Sequence, residues 1–180
     1  MTADRACDGC TLCCKLLYIP ELHKPMYAWC PHAVKGQGCA IYCQRPTPCR
    51  DFECLWLAAP NVPDYWRPLQ SHMVLAGDPT GTLVSVLVDS GHEDAWQRQP
   101  YYGDLKKWSH EPSWRVQVLT EKHGWIIFPE EDLFVGERRA DDVIVGFGYK
   151  LQHGMKQPAV AVRHGDGSTT EVVGGLYPAS

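Results

Sequence analysis

The length, composition and charge of the chain exclude several classes of protein. Its 180 residues are 44% hydrophobic and 21% charged, which is ordinary for a folded globular protein. A net charge of −4 argues against a nonspecific nucleic-acid binder, because such proteins carry a basic excess. No apolar run approaches the roughly 20 residues of a membrane-spanning helix, and the N-terminus lacks the apolar region of a secretory signal. We therefore expect a cytoplasmic protein that contacts neither nucleic acid nor membrane.

The chain divides at about residue 58 by its cysteine content. All nine cysteines lie between Cys7 and Cys54, and the rest of the chain has none. Cysteines used as small buried hydrophobes would be scattered through the whole protein. We therefore predict a cysteine-cluster metal-binding module over residues 1–58 and a β-rich α+β body over residues 59–180, packed together as one unit.

Short helices are predicted within the cysteine module. The segment from Cys7 to Leu17 begins as a tight loop around Gly9 and continues into helix-compatible residues. Several prolines then interrupt regular structure. A second helix is predicted over residues 49–58, and residues 59–63 form a connection.

The sequence of the body predicts mainly β-strands. Apolar and β-branched runs predict them over residues 71–76, 82–89, 114–120, 124–128, 142–149, 158–164 and 169–173. A helix is predicted over residues 92–108 with a break at Pro100, and its aromatic residues are expected to pack on the sheet. The fold class is α+β, with a metal-stapled cysteine module on a small, mainly antiparallel sheet with one or two helices.

The cysteines indicate metal binding more strongly than disulfides. Thiols stay reduced in the cytosol, and an odd total of nine with the adjacent pair Cys13-Cys14 fits a complete disulfide set poorly. Two cysteines separated by two residues form the commonest thiolate half-site, and this spacing occurs at Cys7/Cys10 and again at Cys10/Cys13. The first three also resemble the start of a bacterial ferredoxin run, but Cys14 departs from that pattern.

Eight thiolates are enough for two tetrahedral four-sulfur zinc sites. The predicted metal ligands are Cys7, Cys10, Cys13, Cys14, Cys30, Cys39, Cys49 and Cys54. The alternative cofactor is iron or an iron–sulfur cluster, which uses the same type of ligand. The sequence does not assign individual thiolates to individual ions.

The combined motif resembles the YkgJ-like cysteine-cluster family, a zinc- or iron-chelating CxxCxxCC domain. The resemblance covers residues 7 to about 56. It is carried by Cys7-x-x-Cys10-x-x-Cys13-Cys14, Cys30, Cys39 with Ile41-Tyr42, Arg45-Pro46, Cys49-Arg50 and Phe52. Cys43 lies where such sequences often have a polar residue, so the resemblance leaves it outside the ligand set. Similar motifs occur in flagellin lysine methylases, but no glycine-rich loop for S-adenosylmethionine is visible here.

Other polar residues complete the set of candidates. Lys15, Arg45 and Arg50 are placed in sequence to offset the negative charge of thiolate sites. His23 and His32 lie among the cysteines, but neither has a diagnostic ligand spacing. No nucleophile elbow, phosphate-binding loop or dinucleotide fingerprint is present, so the sequence offers no catalytic residue.

These observations predict a zinc-binding protein with a structural or metal-handling role. The predicted binding partner is a metal ion. The alternatives are an iron–sulfur redox or electron-transfer protein, an accessory factor for a protein-modifying enzyme, and an adaptor for an unidentified protein partner.

Overall fold

The computed structural model describes residues 5–139 and 142–179. It shows an α+β fold with short helices and mainly antiparallel sheets, as predicted. The helices are α1 (Leu12–Leu16), α2 (Thr47–Asp51), α3 (Leu55–Ala58), α4 (Pro68–Ser71) and α5 (Tyr101–Ser109). Within the described residues, no helix is long and apolar enough to cross a membrane.

The cysteine-bearing segment has little regular structure. After α1 it forms a two-stranded antiparallel ribbon of β1 (Ala33–Val34) and β2 (Gly38–Cys39). The prediction of a single helix over residues 49–58 is wrong. The backbone is extended at Phe52 and at Cys54, and this extended stretch separates α2 from α3. Phe52 packs on the cluster around α1, so the break turns its ring inward.

A five-stranded sheet forms the centre of the molecule. Its strands are β3 (Met73–Gly77), β4 (Leu83–Val88), β5 (Arg115–Leu119), β6 (His123–Ile127) and β7 (Asp132–Glu137), in that order across the sheet. Only β4 and β5 run parallel, and α5 lies in the connection between them, as parallel pairing requires a crossover. The hairpin of β3 and β4 was predicted, whereas β7 was not.

The remaining strands form a second sheet, so the prediction of one sheet is wrong. Its strands are β8 (Val143–Gln152), β9 (Met155–Arg163), β10 (Thr169–Val173) and β11 (Tyr177–Pro178). β9 pairs with β8 along one edge and with both β10 and β11 along the other. Val160 and Val162 of β9 are buried with Ile126 and Phe128, which joins the two sheets in one apolar cluster.

The predicted helix over residues 92–108 is shorter than expected. Residues Ala95–Gln97 form a single 3₁₀ turn, and α5 begins directly after Pro100, where the break was predicted. The aromatic side chains pack inward as expected. Trp96 is buried, and Trp66 stacks on Trp108 with 5.3 Å between ring centroids.

The cysteine-bearing segment is attached to the central sheet by an apolar contact. Leu12 and Leu16 of α1 are buried against Val74 of β3 and Leu87 of β4. At one end of this segment, the Arg5 guanidinium donates hydrogen bonds to the carbonyl oxygens of residues 56, 59 and 62 at 2.6, 3.1 and 2.7 Å. The sheet therefore supports the segment that carries all the cysteines.

Candidate metal centre

Eight of the nine cysteines line one cavity of about 460 Å³ between the cysteine-bearing segment and the sheet. They are Cys7, Cys10, Cys13, Cys14, Cys30, Cys39, Cys49 and Cys54, the same eight that the sequence predicts as ligands. Cys43 is exposed and does not line the cavity. None of the nine cysteines forms a disulfide bond, so all eight sulfurs are chemically free to bind a metal.

A tight turn brings Cys7 and Cys10 to the cavity. Asp8 and Gly9 have positive φ angles of 39° and 73°, and the Cys10 N–H donates to the Cys7 carbonyl oxygen at 2.6 Å. Gly9 also lies against the turn between β1 and β2, because a Cβ atom built on it would be 2.5 Å from the Gly36 carbonyl oxygen. Only glycine fits both the backbone angle and this close approach.

Helix α1 presents the adjacent pair Cys13 and Cys14. Its buried residues Leu12 and Leu16 fix its orientation on β3 and β4. Residues 13 and 14 lie between these two leucines in the helix and reach the cavity instead. The apolar anchors of α1 therefore set the direction of two candidate ligands.

The later cysteines arrive from separate short elements. The Cys30 N–H donates to the Cys14 carbonyl oxygen at 3.1 Å, which ties the middle of the segment to α1. Cys39 lies on β2 opposite Ala33. Cys49 lies in α2, and Cys54 is the N-cap residue of α3. Tertiary packing, rather than a local repeat, gathers these four side chains.

The eight sulfur atoms surround the cavity without touching as a group. All cysteines lie in the described part of the chain, and no three of their sulfurs are within 4.8 Å of one another. Zn–S bonds of about 2.3 Å place the sulfurs of a tetrahedral site only about 3.8 Å apart. The donor set fits a thiophilic metal, but binding a single zinc ion requires the short loops to move inward.

A buried lysine lies beside the thiols. Lys24 is 3% exposed, and its ammonium donates to the carbonyl oxygens of Lys15 and Pro25 at 2.8 and 3.0 Å and to that of Leu17. Burial lowers the pKa of Lys24, while the nearby charges of Cys30 and Cys14 act in the opposite direction. In its protonated form, Lys24 places positive charge beside these thiols.

Two arginines supply further positive charge. Arg45, as predicted, lines the cavity, and its guanidinium lies 3.7 Å from the centre of the Tyr42 ring. Arg67 also lines the cavity, although it belongs to the β-rich body. The other two predicted cations bind elsewhere, since Lys15 pairs with Asp89 at 2.5 Å and Arg50 donates to the Thr47 hydroxyl.

Six of the cavity thiols have a shifted pKa, and in five of them the pKa is raised. Burial raises the pKa of the cysteines at 7, 10, 49 and 54. The hydrogen bond between Cys13 and Cys14 raises the pKa of the first and lowers that of the second. Cys14 is thus the sulfur of this pair that carries negative charge more readily.

The two histidines of the segment do not reach the cavity. His23 is exposed and occupies a left-handed turn with φ of 48°. His32 is half-buried, and neither residue is among those that line the cavity. The donor set at the cavity is therefore dominated by sulfur.

Comparisons of the chain with protein-family models, curated proteins and solved structures give no match. The chemistry of the cavity is therefore the main indication of what the protein does.

Sequence reasoning did not find Lys24, Arg67 or Val74, all of which lie at the cavity or beside it. Lys24 sits between two prolines, a position that carries no chemical pattern. Val74 reaches the site because α1 packs on β3, and Arg67 lines the cavity from a part of the chain distant in sequence from most of the cysteines. No sequence signal marks them, since their roles arise from contacts between distant parts of the chain.

Proposed function

We propose that this protein binds zinc through the cysteine cavity, in thiolate-rich, four-coordinate and paired sites, and that the metal has a structural or metal-handling role. The observation that carries the proposal is the selective convergence of eight cysteines on one cavity while the ninth, Cys43, stays outside. The resemblance to the YkgJ-like cysteine-cluster family suggests the same chemistry.

The arrangement of the chain around the cavity supports a metal-stapled module. The segment from Cys7 to Cys54 contains only short helices and a two-stranded ribbon, so few regular hydrogen bonds hold it together. Structural zinc supplies folding free energy directly in segments of this kind. We therefore expect the metal to stabilise residues 7–54 more than the central sheet.

The charges around the cavity also support thiolate ligation. A zinc ion with four thiolates has a net charge of −2, and burying that charge requires compensation. Lys24, Arg45 and Arg67 contribute to this compensation from three separate parts of the chain. Asp8 and Glu53 also line the cavity, so the three cationic groups offset only part of the negative charge of the paired thiolate sites and these two carboxylates.

A metal with four protein thiolates is closed to water. It cannot activate a water molecule or polarise a substrate, as a catalytic zinc with an open position does. This favours a structural or metal-handling role over catalysis at the cysteine cavity.

An iron–sulfur cluster is the second candidate, and one observation favours it. The eight sulfurs line a single cavity of about 460 Å³ and do not already form compact groups of three. A cluster has an inorganic core between its cysteine ligands, so it suits sulfurs that stand further apart than those around one zinc ion. Cysteine thiolates are the ligands in both candidates.

Metal content tests the proposal. The protein is purified without oxygen or added metal, and elemental mass spectrometry is combined with acid-labile sulfide analysis and a visible spectrum. About two zinc ions bound by thiolates and no visible band support paired zinc sites, whereas iron, sulfide and a band at about 400 nm support a cluster. A protein that retains neither zinc nor iron overturns the proposal.

A further inference from the structure

A group of two histidines and one aspartate lies at the open end of the β3–β4 hairpin, opposite its turn. His72 ends α4 with a φ of 58° immediately before β3, and Asp89 follows the last residue of β4. The Asp89 N–H donates to the His72 carbonyl oxygen at 2.9 Å, and the His92 N–H donates to the Asp89 carbonyl oxygen at 3.0 Å. The backbone therefore fixes all three residues at one place.

Their side chains converge. One donor atom from each of His72, Asp89 and His92 lies within 4.8 Å of the others. Nδ1 of His92 is 3.7 Å from Oδ2 of Asp89. This nitrogen is buried and has no hydrogen-bond partner. A buried ring nitrogen without a partner is costly unless a ligand completes it.

Lys15 orients the carboxylate. Its ammonium is 2.5 Å from Oδ1 of Asp89, and the two side chains are 14% and 15% exposed. The other oxygen, Oδ2, is left facing His92. Carboxylate ligands of metals are commonly fixed in this way by a hydrogen bond to their second oxygen.

We propose that His72, Asp89 and His92 form a binding site for a first-row divalent cation such as Zn²⁺, separate from the cysteine cavity. The distance of 3.7 Å between Nδ1 and Oδ2 is too long for a hydrogen bond. It is close to the roughly 3.4 Å that separates two ligand atoms bound at about 2.1 Å to a tetrahedral zinc ion.

One of the two histidine rings must rotate before both can bind the same ion. They are stacked with 3.6 Å between their centroids and 2° between their planes. The lone pair of an imidazole nitrogen lies in the plane of its ring, so the lone pairs of the two stacked rings lie in parallel planes, and shared ligation requires one ring to rotate out of the stack. The His92 side chain is 42% exposed, which leaves it room to rotate.

This site differs chemically from the cysteine cavity. Two imidazoles and one carboxylate are harder ligands than thiolates, and three protein ligands leave a coordination position for water or a substrate. A cation here therefore has an open position, which an all-thiolate zinc ion lacks.

Cobalt titration of the 180-residue chain tests the proposal. Thiolate-bound Co²⁺ gives an intense near-ultraviolet charge-transfer band, and histidine-bound Co²⁺ does not. The variant His92→Phe keeps a ring against His72 but removes both nitrogens. His92→Ala is a second variant that excludes an effect of the phenylalanine itself, and His110→Ala replaces an exposed histidine at the end of α5 as the matched control.

We expect both His92 variants to bind about one Co²⁺ fewer per chain than His110→Ala, with the thiolate band unchanged. Equal stoichiometry and affinity in all three variants overturn the site. Loss of the thiolate band in the His92 variants also overturns it, because the two sites are then not separate. Cys10→Ser distinguishes the two proposals, since it reduces the thiolate band and leaves the histidine-bound cobalt in place.

Discussion

The ammonium of Lys24 donates a hydrogen bond of 2.8 Å to the carbonyl oxygen of Lys15, within the last two residues of α1. It also binds the carbonyl oxygens of Leu17 and Pro25. Carbonyl groups at the end of a helix lack partners within the helix. One buried cation therefore completes the end of α1 and places positive charge beside the thiols that α1 presents.

Replacing Lys24 with methionine should weaken both stability and metal binding. The substitution leaves three carbonyl oxygens without their donor, so we expect the free energy of unfolding to fall by about 2–4 kcal/mol. It also removes positive charge next to Cys14 and Cys30, which should lower zinc affinity. Chemical denaturation and competition with a chromophoric zinc chelator measure the two effects. Lys35→Met, at an exposed position, is the control, and equal zinc affinity in both variants contradicts the electrostatic role.

Substitution of single cysteines should separate the lining residues from Cys43. Cys10→Ser and Cys49→Ser each remove a sulfur from the cavity, so we expect about one zinc ion fewer per chain and a less stable cysteine-bearing segment. Cys43→Ser should retain the metal content of the unmodified protein. Elemental mass spectrometry of the three variants provides the measurement. Metal loss in Cys43→Ser as large as in the other two shows that the assignment of ligands is wrong.

The carboxylate of Asp78 should make the β3–β4 hairpin sensitive to acid. It accepts hydrogen bonds from the Thr80 hydroxyl and from the N–H groups of Leu83, Thr80 and Thr82, which lower the pKa of Asp78 to about 2. This pKa is below the value of about 3.9 that an aspartate has in the unfolded chain. The carboxylate therefore stabilises the fold fully at pH values above the unfolded pKa. The stabilisation is lost as the pH falls toward 2.

Comparison with Asp78→Asn isolates this effect, because all other titrating groups are common to the two proteins. Denaturation of the metal-free proteins between about pH 2 and 6 should show the largest difference in stability above about pH 4 and a decreasing difference below it. An NMR titration should place the midpoint of the Asp78 carboxyl group near 2. A midpoint at the ordinary aspartate value would show that the hydrogen bonds of the turn do not stabilise the charged form.

The local part of the candidate site could be predicted from the sequence. Cys7, Cys10 and Cys13 are each separated from the next by two residues, and glycine between the first two permits the tight turn that the structure shows. Cys39, Cys49 and Cys54 come from separate elements. Their arrival at the same cavity depends on tertiary packing, so spacing did not predict it. Only the confinement of the cysteines to residues 7–54 and the resemblance of the whole motif pointed to them.

The limits of the fold prediction have similar physical causes. Continuous apolar and β-branched runs were enough to predict β3 and β4, where several successive residues are buried. In β7, by contrast, only Leu133 is buried, and the strand begins among acidic residues. It is a strand because β6 offers it a pairing edge. Division of the strands between two sheets leaves no comparable periodic signal in the sequence.

The contact between Gly9 and Gly36 provides a sharp test of how the cysteine-bearing segment is assembled. Both glycines have positive φ, at 73° and 75°. A Cβ on Gly9 would lie 2.5 Å from the Gly36 carbonyl oxygen, whereas a Cβ on Gly36 would have no atom within 4 Å. The two Gly→Ala variants therefore share the backbone strain but differ in the steric clash.

We expect Gly36→Ala to lower the free energy of unfolding by about 1–2 kcal/mol, the cost of a left-handed alanine. Gly9→Ala should cost about 1–3 kcal/mol more, because the Cys7–Cys10 turn must move away from the ribbon. That movement also displaces two sulfurs, so zinc retention should fall in Gly9→Ala and persist in Gly36→Ala. Denaturation and metal analysis of the pair measure both quantities. Equal losses in the two variants would mean that backbone strain alone matters and that the turn does not rest against the ribbon.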